Sequence, residues 1–146
     1  MCNCNSPWVK KARNFISSSH NNQNGKWHTV NFLLNNNVCG IDNRKSIEEI
    51  LQYLNSRGIV INRERFQQFI LGELKREGIV ATLIYPGIQG GVFIPCSENE
   101  IKEVANQVLS RIDSEVKNLA GIAQYTAFNR LFSLLAYIIN WMRQNI

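Results

Sequence analysis

The chain has 146 residues and a mass of 16.7 kDa, with 45% hydrophobic residues, 18% charged residues and a formal charge of +5. That is material for one ordinary core with an appended element, and it excludes wholesale disorder, collagen-like repeats and a disulfide-dense miniprotein. No run of about 18 apolar residues is present to cross a bilayer, and the opening MCNCNSPWVKK lacks the apolar stretch of a secretion signal. The expectation is a cytoplasmic protein with no membrane partner, whose four cysteines are free thiols because the cytosol keeps them reduced.

In chain order, Ser6-Pro7-Trp8 predicts a helix start, with Ser6 capping orphan amides and Pro7 at the first helical position. Trp8, Ala12, Phe15 and Ile16 share one face, and the helix should end near Ser17-Ser18-Ser19. His20 to Gly25 (HNNQNG) reads as turn or loop, Lys26 to Leu34 as either a strand or a short helix, and Val38 to Ile41 as a brief extended piece.

Ser46-Ile47-Glu48-Glu49 has capping-box spacing and opens a helix with the stripe Ile47, Ile50, Leu51 and Leu54, closed by Arg57-Gly58. After the connector Ile59 to Ile61, Asn62 caps a second helix to about Glu77, with Phe66, Phe69, Ile70 and Leu74 buried and Gly78 as the stop. Ile79 to Tyr85 and Val92 to Pro95 flank Pro86-Gly87 and Gln89-Gly90-Gly91, which predicts a hairpin. Ser97-Glu98-Asn99-Glu100 repeats the capping pattern before a long helix striped by Ile101, Val104, Val108, Ile112, Val116 and Leu119. Gly121 allows a break or kink before a last helix whose Phe128, Leu131, Leu135, Ile138 and Met142 follow a 3-4-3-4 progression.

The order of helix, short extended piece, helix, helix and hairpin, carried by SIEEILQYLNSRG, INRERFQQFILGELKREG and IVATLIYPGIQGGVFIP, resembles the winged helix-turn-helix proteins over about residues 42–96. GGVFIPCSENEIKEVANQVLSRI also looks like small winged-helix proteins of bacteriophages and mobile elements. The resemblance implies a mainly α fold with a small β-hairpin wing plus long C-terminal helices. It divides the chain into a basic helix and Asn-rich loop (1–37), the winged helix-turn-helix (38–96) and C-terminal helices for dimerisation (97–146).

In that family the second helix of the pair enters the major groove. Carried onto this sequence, Arg63, Arg65, Gln67, Gln68 and Lys75 would face double-stranded DNA, arginine suiting guanine and glutamine suiting adenine. The predicted wing tip, Gly87 to Gly91, has no cation where the family commonly has one. Phosphate contacts then fall to Arg44, Lys45, Lys10, Lys11 and Arg13. The charge distribution fits: residues 1–41 carry Lys10, Lys11, Arg13 and Lys26 and no acid, whereas the later segments are nearly balanced.

The last helix, LFSLLAYIINWM, is apolar over more of its circumference than one side of a small domain needs, and it is too short to span a bilayer. A homodimer through Phe128, Leu131, Leu135, Ile138 and Met142 is expected, pairing two reading helices on a symmetric site. Cys2 and Cys4 with Cys39, Cys96, His20 and His28 lack the usual zinc-ligand spacing, and no phosphate loop, paired histidines or nucleophile elbow is present. No enzyme, metal or cofactor is expected. The sequence points to a transcriptional regulator or a phage or mobile-element accessory factor acting by site occupancy; the alternative is a protein-binding adaptor or inhibitor on the same scaffold.

Overall fold

The structure, a computed structural model, describes residues 2–18, 24–83 and 90–146. The chain divides into two compact units, Met1–Ile101 and Lys102–Ile146. It is mainly helical, with one small antiparallel sheet among the described residues.

In the first unit, α1 (Pro7–Ser18) starts where the sequence predicts. Ser6 Oγ accepts from the Val9 amide at 3.1 Å and donates to the Pro95 carbonyl at 2.7 Å, so one hydroxyl caps the helix and ties it to a segment 89 residues away. Val9 and Ala12 are buried while Trp8, Phe15 and Ile16 are only half-buried, which turns the inner face by one position from the predicted line. Most of the predicted turn from His20 to Gly25 lies outside the described residues; the ambiguous stretch after it is a helix, α2 (Gly25–Asn35), because Asn24 Oδ1 caps the Trp27 amide at 3.1 Å. Its Thr29, Val30, Leu33 and Leu34 are buried, and it touches α1 and both helices of the pair described next.

Helix α3 (Ile47–Ser56) carries the complete capping box, Ser46 bonding the Glu49 amide and the Glu49 carboxylate returning to Ser46. Gly58 follows at φ 79°, a conformation that side-chain-bearing residues avoid. Helix α4 runs through Arg63–Arg65, a wider π-helical stretch Phe66–Leu71 and a final turn Gly72–Arg76, with Asn62 Oδ1 accepting from the Arg65 amide at 2.9 Å. The π stretch corrects the sequence expectation. Its extra residue rotates the inner face, so Phe69 is 52% exposed and Leu71 is buried in its stead, with Phe66, Ile70 and Leu74.

Strands β1 (Ala81–Leu83) and β2 (Gly91–Phe93) pair antiparallel with Thr82 opposite Val92; the predicted turn residues 84–89 lie outside the described residues. Lys45 exchanges both backbone hydrogen bonds with Val92, at 3.0 and 2.8 Å, and Cys39 pairs with Ile94 in parallel. The segment from Gly91 to Ile94 is fully covered as a result. Helix α5 (Glu98–Ala123) is capped by Glu100, whose Oε2 accepts from Cys96 N at 2.7 Å while Oε1 accepts from Ile41 N at 2.9 Å.

The cysteines are not free thiols: Cys2 bonds Cys39 and Cys4 bonds Cys96, with Cα separations of 5.7 and 6.0 Å. The reason is topological. Cys39 and Cys96 sit on hydrogen-bonded segments, and the N-terminal arm runs beside them with Cys2 N bonded to the Leu34 carbonyl at 3.3 Å, which brings alternate residues 2 and 4 within reach.

In the second unit, α5 from Lys102 onward pairs with α6 (Asn129–Gln144) through Leu109, Val116 and Ile139, with Phe132 and Ala136 against them. Asp113 bonds Lys117 at 2.8 Å and lies 3.7 Å from Arg143, so the two helices run antiparallel about a short connector. Two expectations are corrected. Gly121 lies inside the helix, which continues to Ala123, and the inner face of α5 is Leu109, Asp113 and Val116, leaving Val108, Ile112 and Leu119 outside.

Candidate nucleic-acid interface

Arg63, Gln67, Leu71 and Lys75 recur every four residues along α4. In a regular helix such a row drifts around the axis, but the wider π turn absorbs the drift and keeps the four on one side. They line a cleft of about 500 Å³ with Ser46, Ile47 and Glu48 at the start of α3 and with Thr82, Leu83, Gly90, Gly91 and Val92 of the hairpin. Leu71 is buried, while Arg63, Gln67 and Lys75 are exposed around it.

The hairpin reaches this position because Gly91 has no side chain. A Cβ there would lie 2.9 Å from Arg44 Cγ and 3.0 Å from the Lys45 carbonyl oxygen, so the pairing of Lys45 with Val92 depends on the glycine. Arg44 is half-buried and donates to the Ile41 carbonyl at 2.9 Å, and Lys45 bonds the Glu49 carboxylate at 3.0 Å. The Ser46 amide, and after it Lys45, hold the Glu49 carboxyl below the usual carboxylate range. Arg63 pairs with Glu48 across the mouth of the cleft.

The remaining predicted positions are dispersed. Arg65 and Gln68 are exposed but do not line the cleft; Phe69 is exposed beside Gln68. Lys10 and Lys11 are exposed on α1, whereas Arg13 is drawn back to donate to the Cys2 carbonyl. Lys26, part of the same acid-free segment, bonds Glu73 at 2.6 Å and lies 3.6 Å from Glu77, an arrangement that raises its pKa, chiefly through Glu73. Sequence reasoning missed Glu48, Leu71 and Thr82 as cleft residues; the four-residue recurrence from Arg63 to Lys75 was the available signal for Leu71.

Behind the pair of helices His28 meets Trp27 edge-on at 5.0 Å and Tyr53 at 6.4 Å, and Phe32 packs on Tyr53 at 4.7 Å. The Arg57 guanidinium stands 5.3 Å from the Tyr53 ring centre. Burial, and then the Arg57 charge, push the His28 pKa below its ordinary value. In the second unit, Phe128, Leu131, Leu135, Ile138 and Met142 are exposed by 64, 50, 37, 42 and 40%. Among the described residues no helix is long and apolar enough to cross a membrane, and no three His, Cys, Asp or Glu side chains are gathered as metal ligands.

No family model and no solved structure matches the chain. A protein of Methanocaldococcus jannaschii described as a control protein, C.MjaVP, is 50% identical over 127 residues, which cover 84% of this chain and 77% of that protein. The chain belongs to the family of that control protein. The match with C.MjaVP takes in most of both sequences, and the cleft of α3, α4 and the hairpin lies within the first unit of this chain.

Proposed function

We propose that this protein is a regulator that binds double-stranded DNA through a winged helix-turn-helix, with α3 and α4 as the helix pair, β1 and β2 as the wing and the Lys45 backbone bridged to Val92 at its edge. The observation that carries the reading is the exposed row Arg63, Gln67 and Lys75 on α4, bordered by the hairpin. Arginine and glutamine are the side chains that grip guanine and adenine with paired hydrogen bonds, and lysine neutralises phosphate. The relative's description as a control protein favours a regulatory role, by occupancy of a transcriptional control site or of a phage or mobile-element site. Lys10 and Lys11 supply further positive charge, and a homodimer through α6 sets the spacing of two half-sites.

The test is an anisotropy titration of the full chain against random duplex DNA at about 50 and 200 mM salt. Phosphate-driven binding weakens steeply, by about 10³-fold or more for six contacts. The Arg63→Ala, Arg65→Ala double variant lowers the affinity further; no binding at micromolar protein refutes the DNA reading. One observation favours a protein-binding adaptor instead, the exposure of Phe69 on the outer side of α4, and for that reading the duplex titration is flat.

A further inference from the structure

Helix α6 packs Ile139, with the half-buried Phe132 and Ala136, against α5, and its Phe128, Leu131, Leu135, Ile138 and Met142 lie on an adjoining stripe, about one quarter-turn around the axis at 100° per residue. Helix α5 repeats the relation: Leu109, Asp113 and Val116 face inward, and Val108, Ile112 and Leu119 lie about one quarter-turn away in the same rotational sense. In an antiparallel pair, equal offsets in the same sense place both stripes on one side of the hairpin. The two stripes therefore merge into a single apolar face, extended by Leu134 and Trp141 on α6 and Ile122 on α5.

From this geometry we infer that a second copy of the chain covers that face, so that the two helical hairpins form a four-helix bundle in which α5 contributes as much as α6. The inference deepens the homodimer reading above, which involves α6 alone, and it is independent of DNA binding. Three observations select a second copy as the occupant. The second unit has only Leu109, Val116 and Ile139 as buried hydrophobic residues, far too few for two helices of this length to hold together alone. The face named above consists of eleven apolar side chains, most about half exposed, which together offer on the order of 800 Å² per copy, the size of a standard specific interface. The described residues of the first unit expose only Val60 and Phe69 as large hydrophobics, whereas an identical hairpin matches the face in extent and chemistry. Charge agrees: the shallow groove of Val108, Ile112 and Val116 on α5 is flanked by Arg111 and Glu115, one cation and one anion, and such an edge complements itself across a two-fold axis.

Sedimentation velocity of the full chain across a range of concentrations, with circular dichroism as the fold control, tests this. The wild type should sediment as a dimer of about twice 16.7 kDa. Both Ile112→Glu with Leu119→Glu on α5 and Leu135→Glu with Ile138→Glu on α6 should give monomers of unchanged helicity in the first unit. Should the glutamates unfold the hairpin, Ile112→Gln with Leu119→Gln is the second variant, with an expected loss of dimer affinity of about 100-fold. A dimer that survives the α5 substitutions overturns the bundle and leaves the α6 pairing standing. A wild type that stays monomeric at 100-fold above micromolar concentration overturns both, and an open-ended oligomer overturns the two-fold arrangement.

Discussion

Removing the Cys4–Cys96 bridge by substituting both residues with serine is expected to cost the first unit about 4 kcal/mol. The two residues are 92 positions apart, and a bridge stabilises chiefly by restricting the unfolded chain, by an amount that grows with the logarithm of the loop. While Cys2–Cys39 stays closed, the unfolded chain already has a shortcut, so the effective loop is about 60 residues rather than 92, a difference of only a few tenths of a kcal/mol. Cys2–Cys39, spanning 37 residues, is worth nearly the same, and the pair together about 8 kcal/mol, a large part of the 5–15 kcal/mol that ordinarily separates folded from unfolded. Guanidinium denaturation followed by tryptophan fluorescence, with and without a phosphine reductant, measures both quantities. Reduction should lower the midpoint sharply and raise the denaturant slope, because the freed unfolded chain exposes more surface; for one bridge the thermal midpoint should fall by at least about 15 °C. Identical curves with and without reductant, together with four titratable thiols in the unreduced denatured chain, refute the reasoning.

Glu48→Gln releases Arg63 at the mouth of the cleft and removes a negative charge from the surface proposed to meet phosphate, so duplex affinity in the anisotropy assay should rise by a few-fold; a fall shows that Glu48 orients Arg63 for binding rather than restraining it. The folded protein resists protonation of His28, whose pKa is lowered by burial and by Arg57, whereas the unfolded chain takes up the proton near pH 6.5. Stability from this group is therefore complete above that pH and declines as pH falls through 6.5 toward the depressed folded value, and His28→Phe should flatten that part of the urea-midpoint profile.

Elements whose ends are written in local chemistry were legible in the sequence. Ser46 with Glu49, Asn62, Gly58 and Gly78 each satisfy or terminate a helix through atoms within four residues, and each sits in the structure where the pattern places it. What escaped depends on partners far along the chain. The π stretch in α4 has the same run of apolar residues a regular helix would have, so spacing alone put Phe69 inside and Leu71 out. The helical choice for Lys26 to Leu34 is settled by Asn24 and by burial against three other helices, and the bridges Cys2–Cys39 and Cys4–Cys96 by long-range backbone contacts that no local pattern encodes. For the candidate site, Arg63, Gln67 and Lys75 were identifiable as polar helix positions; that Glu48 lies across from Arg63 required knowing how the two helices pack.

The segment from Gly91 to Cys96, β2 and the three residues after it, joins to β1, to Lys45, to Cys39, to Ser6 through Pro95 and to Cys4 through a covalent bond, and its end is capped by Glu100. A ribosome makes the N-terminal arm first and this segment some ninety residues later, with Ser6 and Pro95 separated by 89 positions and Cys4 and Cys96 by 92. Emerging α1 and α2 can pack on each other and then on α3 and α4, but the bonds that tie Ser6 and Cys4 to this segment wait several seconds at ordinary elongation rates of about 5–20 residues per second. A product truncated before that segment therefore lacks both the Cys4–Cys96 bridge and the Ser6–Pro95 hydrogen bond.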